Sequence, residues 1–446
     1  MASDWPEYEL GPNCSKIGSG ATPRGGSKVY LDHSEIALIR SQNVYNEGFN
    51  HDGLTFITNE HASQLANVSV EENDILLNIT GDSVARCCQV DPAALPARVN
   101  QHVAIIRPFS NVFDSRFLRY FLISPKQQAL MLTMSHAGAT RKALTKGMIE
   151  SFKVPKPDLI TQRAIAHILG SLDDKIELNR RMNKTLEATD RAIFKSWFVD
   201  FDPVHAKAEG RPTGLPDNIA ELFPDSFEDS ELGGIPKEWK YLNLKDIASV
   251  IDCLHSKKPE KRVCGHLLIQ VFNVGDNGRI DFSNPYFIDS ENYNLWIKRM
   301  EVHPGDLVIT KTGRVGAVGQ MPHGYKAAMG RNMVGIRAIK GIATQYFLKD
   351  LLLSDFIRSE IEKRANDGTI LKSLHVKAVN KLRVLLPPYV LIEAYSDLIR
   401  HIHIRIETND EESRTLVSLR DTLLPKLISG ELCVPDAEMF VEDAGV

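Results

Sequence analysis

The chain has 446 residues, 43% hydrophobic and 25% charged, the make-up of a globular protein of about two to four domains. Its 53 Lys and Arg are outnumbered by 57 Asp and Glu, a net charge of −4, which excludes a uniformly basic, nucleic-acid-coating chain. No apolar run approaches the roughly 20 residues that cross a bilayer, the N-terminus lacks a basic and then apolar leader, and six cysteines are too few for a disulfide framework, so a cytoplasmic protein with reduced thiols and no membrane contact is expected.

Trp5 and Leu10 open the chain. Short β-type runs follow at 36–39, 74–79 and 103–106, punctuated by turn residues such as Gly18, Gly20, Pro23, Gly25 and Gly26. A helical stretch is predicted over 115–134 and an extended run over 152–155. Ile165, Ile168, Leu172, Ile176, Met182, Leu186, Ile193 and Trp197 then recur at helical steps, with no proline before Pro203. This predicts one long helix over 158–200, and about 40 residues would reach ~60 Å. Residues 201–235 read as an acidic, proline-rich linker. Asp217, Glu221, Asp225, Glu228, Asp229 and Glu231 follow one another with no Lys or Arg between them. That run is either solvated surface or a docking face for a basic partner.

The plan then repeats at an offset of about 230 residues. Trp239 and Leu244 echo Trp5 and Leu10, and β-type runs recur at 267–271, 306–309 and 334–336 with Gly275 and Gly278 as breakers. Asp74-Ile-Leu-Leu-Asn-Ile-Thr-Gly81 echoes Asp306-Leu-Val-Ile-Thr-Lys-Thr-Gly313, Lys142-Ala-Leu144 echoes Lys372-Ser-Leu374, and Lys175-Ile-Glu-Leu-Asn179 echoes Arg405-Ile-Glu-Thr-Asn409. A second helical stretch (344–364) and extended run (382–387) precede a second long helix over 389–428, marked by Tyr395, Leu398, Ile402, Ile406, Leu416, Leu419 and Leu423. A helix apolar along one stripe needs a partner stripe, and its duplicate is the obvious one. The expected fold class is α/β: mixed α/β domains over 1–157 and 236–388, two long antiparallel helices forming a coiled coil, and a tail over 429–446.

Catalytic machinery is scarce. No phosphate-cradling P-loop occurs, and Gly18-Ser-Gly20 lies amid Thr, Pro and Gly rather than opening a helix. Asn284-Pro-Tyr-Phe287 is a faint match to an adenine-methyltransferase motif and reads better as a turn. Pro157-Asp158 with Asp173-Asp-Lys175 formally fits a nuclease pattern, but Asp173 falls on the long helix, ~22 Å from Asp158 at 1.5 Å per residue. Its repeat counterpart is His403. Cys253, His255, Cys264 and His266 have zinc-ligand chemistry at one-residue spacings, shorter than zinc sites use, so no metal or other cofactor is expected.

Several stretches resemble the specificity subunits of type I restriction–modification enzymes: Ser196-Trp-Phe-Val-Asp-Phe-Asp-Pro-Val204, Leu222-Phe-Pro-Asp-Ser-Phe-Glu-Asp-Ser230, Leu232-Gly-Gly-Ile-Pro-Lys-Glu-Trp239 and Leu419-Arg-Asp-Thr-Leu-Leu-Pro-Lys-Leu-Ile-Ser-Gly-Glu-Leu432. Asp252-Cys-Leu-His255 and Gly20-Ala-Thr-Pro23 resemble openings of that family's target-recognition domains. The resemblance implies a non-catalytic subunit whose two domains each read half of a split double-stranded DNA site, on a pseudo-two-fold frame of two helices. It also implies two methyltransferase subunits and restriction-motor subunits as partners, with Trp197, Phe198, Phe201, Leu222 and Phe223 as the partner-binding set. A single-chain methyltransferase or nuclease, and a scaffold without a DNA role, are the alternatives.

On that reading the loops between strands supply groups for base edges and phosphates. In the first copy these are Lys16, Arg24, Lys28, Gln42, Asn43, Arg86, Asn100, Gln101, Arg141 and Lys142. In the second they are Lys257, Lys258, Arg262, Asn273, Lys311, Arg314, Arg331, Asn332 and Lys372. Arg86, Gln101, Arg314 and Asn332 are expected to read bases, and Lys142 and Lys372 to touch phosphate.

Overall fold

Both helical patterns are continuous helices, α1 (Leu159–Phe198) and α2 (Tyr389–Ser429), the latter running on through Pro425. The computed structural model describes residues 5–136, 142–231, 233–365 and 372–443. The chain divides into two compact units, Met1–Asn179 with Glu411–Val446, and Arg180–Asp410. The division falls inside both long helices, so each unit holds one head and a segment of each helix.

In unit one the head is built on a four-stranded antiparallel sheet ordered Cys14–Ser19, Val103–Pro108, Ile75–Asn78, Cys87–Gln89. A mixed sheet is ordered Thr55–Ile57, Ile36–Ile39, Ala97–Val99, Ser69–Val70, its two central strands parallel. Glu7–Glu9 pairs with Lys153–Pro155 and closes the head where α1 begins. Unit two repeats this order strand for strand. Ala248–Asp252, Met333–Ala338, Leu307–Thr310 and Val318–Gln320 form the antiparallel sheet. Phe287–Ile288, His266–Ile269, Ala327–Met329 and Glu301–Val302 form the mixed one. Lys240–Asn243 pairs with Arg383–Leu386. The same ion pair braces each antiparallel sheet: Arg107 Nε donates to Asp74 Oδ1 at 2.6 Å, and Arg337 Nε to Asp306 Oδ1 at 2.7 Å.

Each predicted mid-domain helical stretch is two helices, Ser115–Ile123 with Pro125–His136, and Gln345–Leu353 with Asp355–Arg364. Ser124 precedes a proline, which bars it from helical geometry, and it is extended at φ −61, ψ 146. Ser354 is extended too and caps the following helix through its hydroxyl, so the break survives without the proline.

The helix segments run antiparallel within each unit, partner numbers falling on α2 as they rise on α1. In unit one, Asp173 meets Arg420 and Asn179 meets Glu412. In unit two, Asn183 meets Asn409 and Asp190 meets His403. The core of unit one joins Phe117, Tyr120 and Leu122 of the head to Leu169 and Leu172 of α1 and to Leu416, Leu423 and Leu427 of α2. The core of unit two likewise joins Phe347 and Leu348 to Ile392, Tyr395 and Ile399 of α2 and to Phe194 and Trp197 of α1.

The acidic, proline-rich linker over 201–235 carries ordered elements: Asp202–Ala208 and Asp217–Ala220 are helical, and Phe227–Ser230 pairs with Gly233–Pro236. The C-terminal tail contains a helix, Val434–Asp443, which buries Ala437 and Val441 in unit one. The expected partner-binding aromatics belong to the core of unit two. Trp197, Phe198 and Phe223 are buried, with Phe201 and Leu222 packed against them. The rings of Trp197 and Phe223 meet edge-on at 5.2 Å, and those of Phe201 and Trp239 at 5.5 Å. Trp197, Phe198 and Phe223 thus serve mainly as core, while Phe201 and Leu222 keep part of their surface exposed.

Trp197→Ala should therefore lower the stability of unit two by about 3–5 kcal/mol. Urea unfolding followed by tryptophan fluorescence checks this; an unchanged transition would return Trp197 to the surface.

Candidate nucleic-acid interface

Strand direction decides where the polar loops go. In unit one the chain leaves the C-terminal ends of Cys14–Ser19, Ile36–Ile39, Ile75–Asn78 and Ala97–Val99 at the end of the sheets where Val103–Pro108 begins. Cross-loop backbone bonds fix this rim: Gly20 N to Val103 O, Ala21 N to Val99 O, Asn100 N to Ile39 O and Ile79 N to His102 O, all 3.0–3.1 Å. Gly20 is required there, because a Cβ would lie 1.9 Å from the carbonyl oxygen of Val99. In unit two the equivalent loops leave Ala248–Asp252, His266–Ile269, Leu307–Thr310 and Ala327–Met329, tied by Gly330 N to Ile269 O at 3.0 Å and Lys311 N to Asn332 O at 2.7 Å.

The sequence-picked residues gather on these rims. Arg24, Lys28, Gln42, Gln101 and Lys142 are exposed in unit one. Lys142 is held to the Thr-Gly turn by the bridge between Thr80 and Ala143, and unit two repeats the device between Thr312 and Ser373 beside Lys372. His102, which residue-type reasoning passed over, joins this group: its Nδ1 lies 2.6 Å from Thr80 Oγ1 and its Nε2 3.1 Å from Gln101 Nε2. The guanidinium of Arg86 sits 4.6 Å over the Tyr45 ring. Arg314 lies on the equivalent loop of unit two, donating to Val274 O at 2.6 Å and pairing with the exposed Asp276. Lys257, Lys258, Arg331 and Asn332 are exposed, with Lys258 4.2 Å over the Tyr286 ring. Asn332 takes left-handed backbone geometry at φ 62. Tyr45 and Tyr286 were missed because only hydrogen-bonding side chains were sought; an aromatic beside a loop cation was the available signal.

Other candidates are spent on building the rim. Asn43 and Asn273 are corrected: both are buried, at 0% and 2% exposure, in matching 3-10 turns. Asn43 accepts from Arg40 N and donates to Asn50 O, while Asn273 accepts from Gln270 N and donates to Asp281 O. Asn100 is buried as well, accepting from His102 N. Lys311 is largely covered, its ammonium paired with Asp252. Burial disfavours the charged form of Asp252, but hydrogen bonds from Lys311 and His255 outweigh it and hold the carboxyl below its usual range. Lys16 donates to Asn67 O and Arg262 pairs with Asp289. Arg141 lies outside the described residues.

Among the described residues, ligand atoms of Asp252, Cys253 and His255 come together, without Cys264 or His266. Lys311 already neutralises Asp252, and His266 stacks on Tyr293 at 4.3 Å, so the four-ligand zinc arrangement is not formed. No described helix is long and apolar enough to cross a membrane.

Two heads thus share one topology, and each carries exposed cations on the same rim. Residues 3–188 match the type I restriction modification DNA specificity domain. The chain is 26% identical over 476 aligned positions to the HindI specificity subunit of Haemophilus influenzae, covering 96% of this chain and all of that one. It is 25% identical to the MjaIX specificity subunit of Methanocaldococcus jannaschii, over 98% and 95% of the two chains. The solved S subunit from M. genitalium shares the fold, at a TM-score of 0.58 and 14% identity over 95% of this chain and 96% of that one. Residues 3–188 thus match a type I restriction modification DNA specificity domain, and along nearly its whole length the chain is similar to type I specificity subunits.

The burial of Asn273 yields a test. Asn273→Ala strands the Gln270 amide and two carbonyls and should cost about 1–3 kcal/mol of stability, whereas Gln42→Ala at the exposed neighbouring position of the other copy should cost less. Thermal melting of the two variants compares them.

Proposed function

We propose that the chain is the DNA-reading subunit of a type I restriction–modification complex. Each rim reads one half of a split duplex site. Arg24, Lys28, Gln42, Arg86, Gln101 and Lys142 face DNA from the first head, and Lys257, Lys258, Arg314, Asn332 and Lys372 from the second. Arginine is suited to a bidentate contact with guanine, Gln and Asn to adenine, and lysine to phosphate. The chain itself performs no chemistry. Two methyltransferase subunits that modify adenine, and restriction-motor subunits, work in the cytoplasm on the site it selects.

The observation that carries this reading is the repeated rim: two heads of identical strand order offer the same loop positions with different side chains. That is the expected form of a reader of two unlike half-sites. Methylome sequencing of host DNA with and without the gene tests it. The expected result is a modified adenine in each half of one bipartite motif, lost when the gene is deleted; an unchanged methylome rejects it.

Arg314→Ala should weaken or relax one half-site only, by about 1–3 kcal/mol for a lost bidentate contact. Equal losses at both half-sites would reject its assignment to one head. Because α1 and α2 each contribute to both units, their length should set the unread gap. Seven residues inserted into each helix, between Asn179 and Arg180 and between Asp410 and Glu411, add ~10.5 Å while nearly preserving the helix face. The gap should grow by about three base pairs at 3.4 Å each, with both half-sites unchanged. An unaltered gap would refute the helices as spacer.

A further inference from the structure

The two long helices are copies in sequence position, but their buried polar groups are not. With Leu159 matched to Tyr389, Asp173 corresponds to His403 and Asp190 to Arg420. In unit one, Asp173 accepts from Arg420 Nη1 at 2.8 Å, from Arg119 Nη1 at 2.7 Å and from the Tyr120 hydroxyl at 2.7 Å. In unit two, Asp190 Oδ2 lies 3.0 Å from His403 Nε2 and 3.3 Å from Lys349 Nζ, and its other oxygen accepts from Tyr395 at 3.1 Å. All these groups are buried or nearly so: the side chains of Asp173 and Arg420 are 13% and 12% exposed, those of Asp190 and His403 3% and 9%. The carboxylate therefore comes from α1 in both units, and the nitrogen base from α2 in both.

We infer that this acid-to-base assignment is a pairing code, by which the buried face of α1 fits α2 and rejects a second copy of itself. Antiparallel pairing of two α1 helices would set Asp173 against Asp190, and two α2 helices would set His403 against Arg420. Two buried carboxylates, or an imidazole and a guanidinium with no acid between them, are costly to bring together, and placing such groups at mispaired positions is how helices exclude wrong partners. In unit two, burial above all pushes the Asp350 carboxyl up to about 6; Lys349 pulls it down, and the nearby Asp190 adds to the rise. Apolar positions near the middle of the helices add little discrimination: Ile176 and Ile406 are the same residue in the two copies, as are Leu186 and Leu416, and apolar side chains of equal size accept either helix. By excluding like pairs, the code keeps two unlike heads on one frame.

The intact chain can be recoded. Arg420→Asp writes into unit one the acid–acid face of an α1 self-pair, and Asp173→His writes the base–base face of an α2 self-pair. Each should lower the thermal midpoint by roughly 5–10 °C, and Arg420→Asp by more than the neutral Arg420→Met. The exchange Asp173→His/Arg420→Asp recreates the arrangement of unit two beside Arg119 and should recover more than half of the summed loss. Should the single variants fail to fold, the mirrored exchange Asp190→Arg/His403→Asp in unit two is read alone, and a soluble protein melting within a few degrees of the original supports the code. Losses that simply add, an Arg420→Asp no worse than Arg420→Met, or exchanges as damaged as the singles, would overturn it.

Discussion

Everything in this structure depends on a borrowed helix. Neither head completes its core with helix from its own repeat. The first head closes over α1 but also needs Leu416, Leu423 and Leu427 of α2. The second closes over α2 but also needs Phe194 and Trp197 of α1. A repeat that stopped at the end of its own helix would leave that apolar stripe in water, with each large side chain costing about 1.5–3 kcal/mol. Duplication thus bound the two copies into one folding problem. It also explains why the acidic segment after α1 is folded: Val204 and Phe223 finish the core of unit two, as Ala437 and Val441 of the C-terminal helix do in unit one.

Much of this was legible in the sequence, because repetition amplifies weak signals. A single four-residue apolar run is ambiguous between strand and buried helix. The same run at the same place in two copies, each followed by Thr-Gly, is not, and 36–39, 74–79 and 103–106 all mark observed strands. The long helices were found to within two residues at each end. The inward face of α2 was less well read. Leu398 fits the apolar spacing yet is 41% exposed, while Ser396, His403 and Asn409 point inward. Hydropathy patterns assign polar residues to the outside, so a helix pair that buries ion pairs and amides misleads them. The echo of Asn179 in Asn409 was the clue: each is buried against the opposite helix.

The rim was legible as a set of loops and much less so as a set of side chains. Asn is as good at capping a turn as at bridging adenine, and only the fold distinguishes the two uses. Asn43 and Asn273 fill the same capping position, so their recurrence was a sign of structure. What should vary between readers of different sequences is the opposite class: positions matched in place but not in residue. Gln101 and Arg331, each following a residue whose amide is bonded to the neighbouring strand end (Asn100 to Ile39, Gly330 to Ile269), form such a pair. The scaffold holds place constant and leaves chemistry free, which is what the proposed reading of two unlike half-sites requires.

The net charge of −4 then ceases to conflict with a DNA partner. At physiological salt a fixed charge is felt over about 8 Å, so a phosphate responds to the rim beside it and not to the sum over the chain. Asp217, Glu221, Asp225, Glu228, Asp229 and Glu231 all lie in the segment that packs on the end of α1, outside the rim loops of the second head. The rims carry acids too, but several of these are already paired, Asp252 with Lys311 and Asp276 with Arg314. A duplex arriving at the rim would compete with those carboxylates for the same cations. On the proposed reading, such competition would weaken indiscriminate binding to phosphate and leave more of the affinity to contacts that only the correct bases can make.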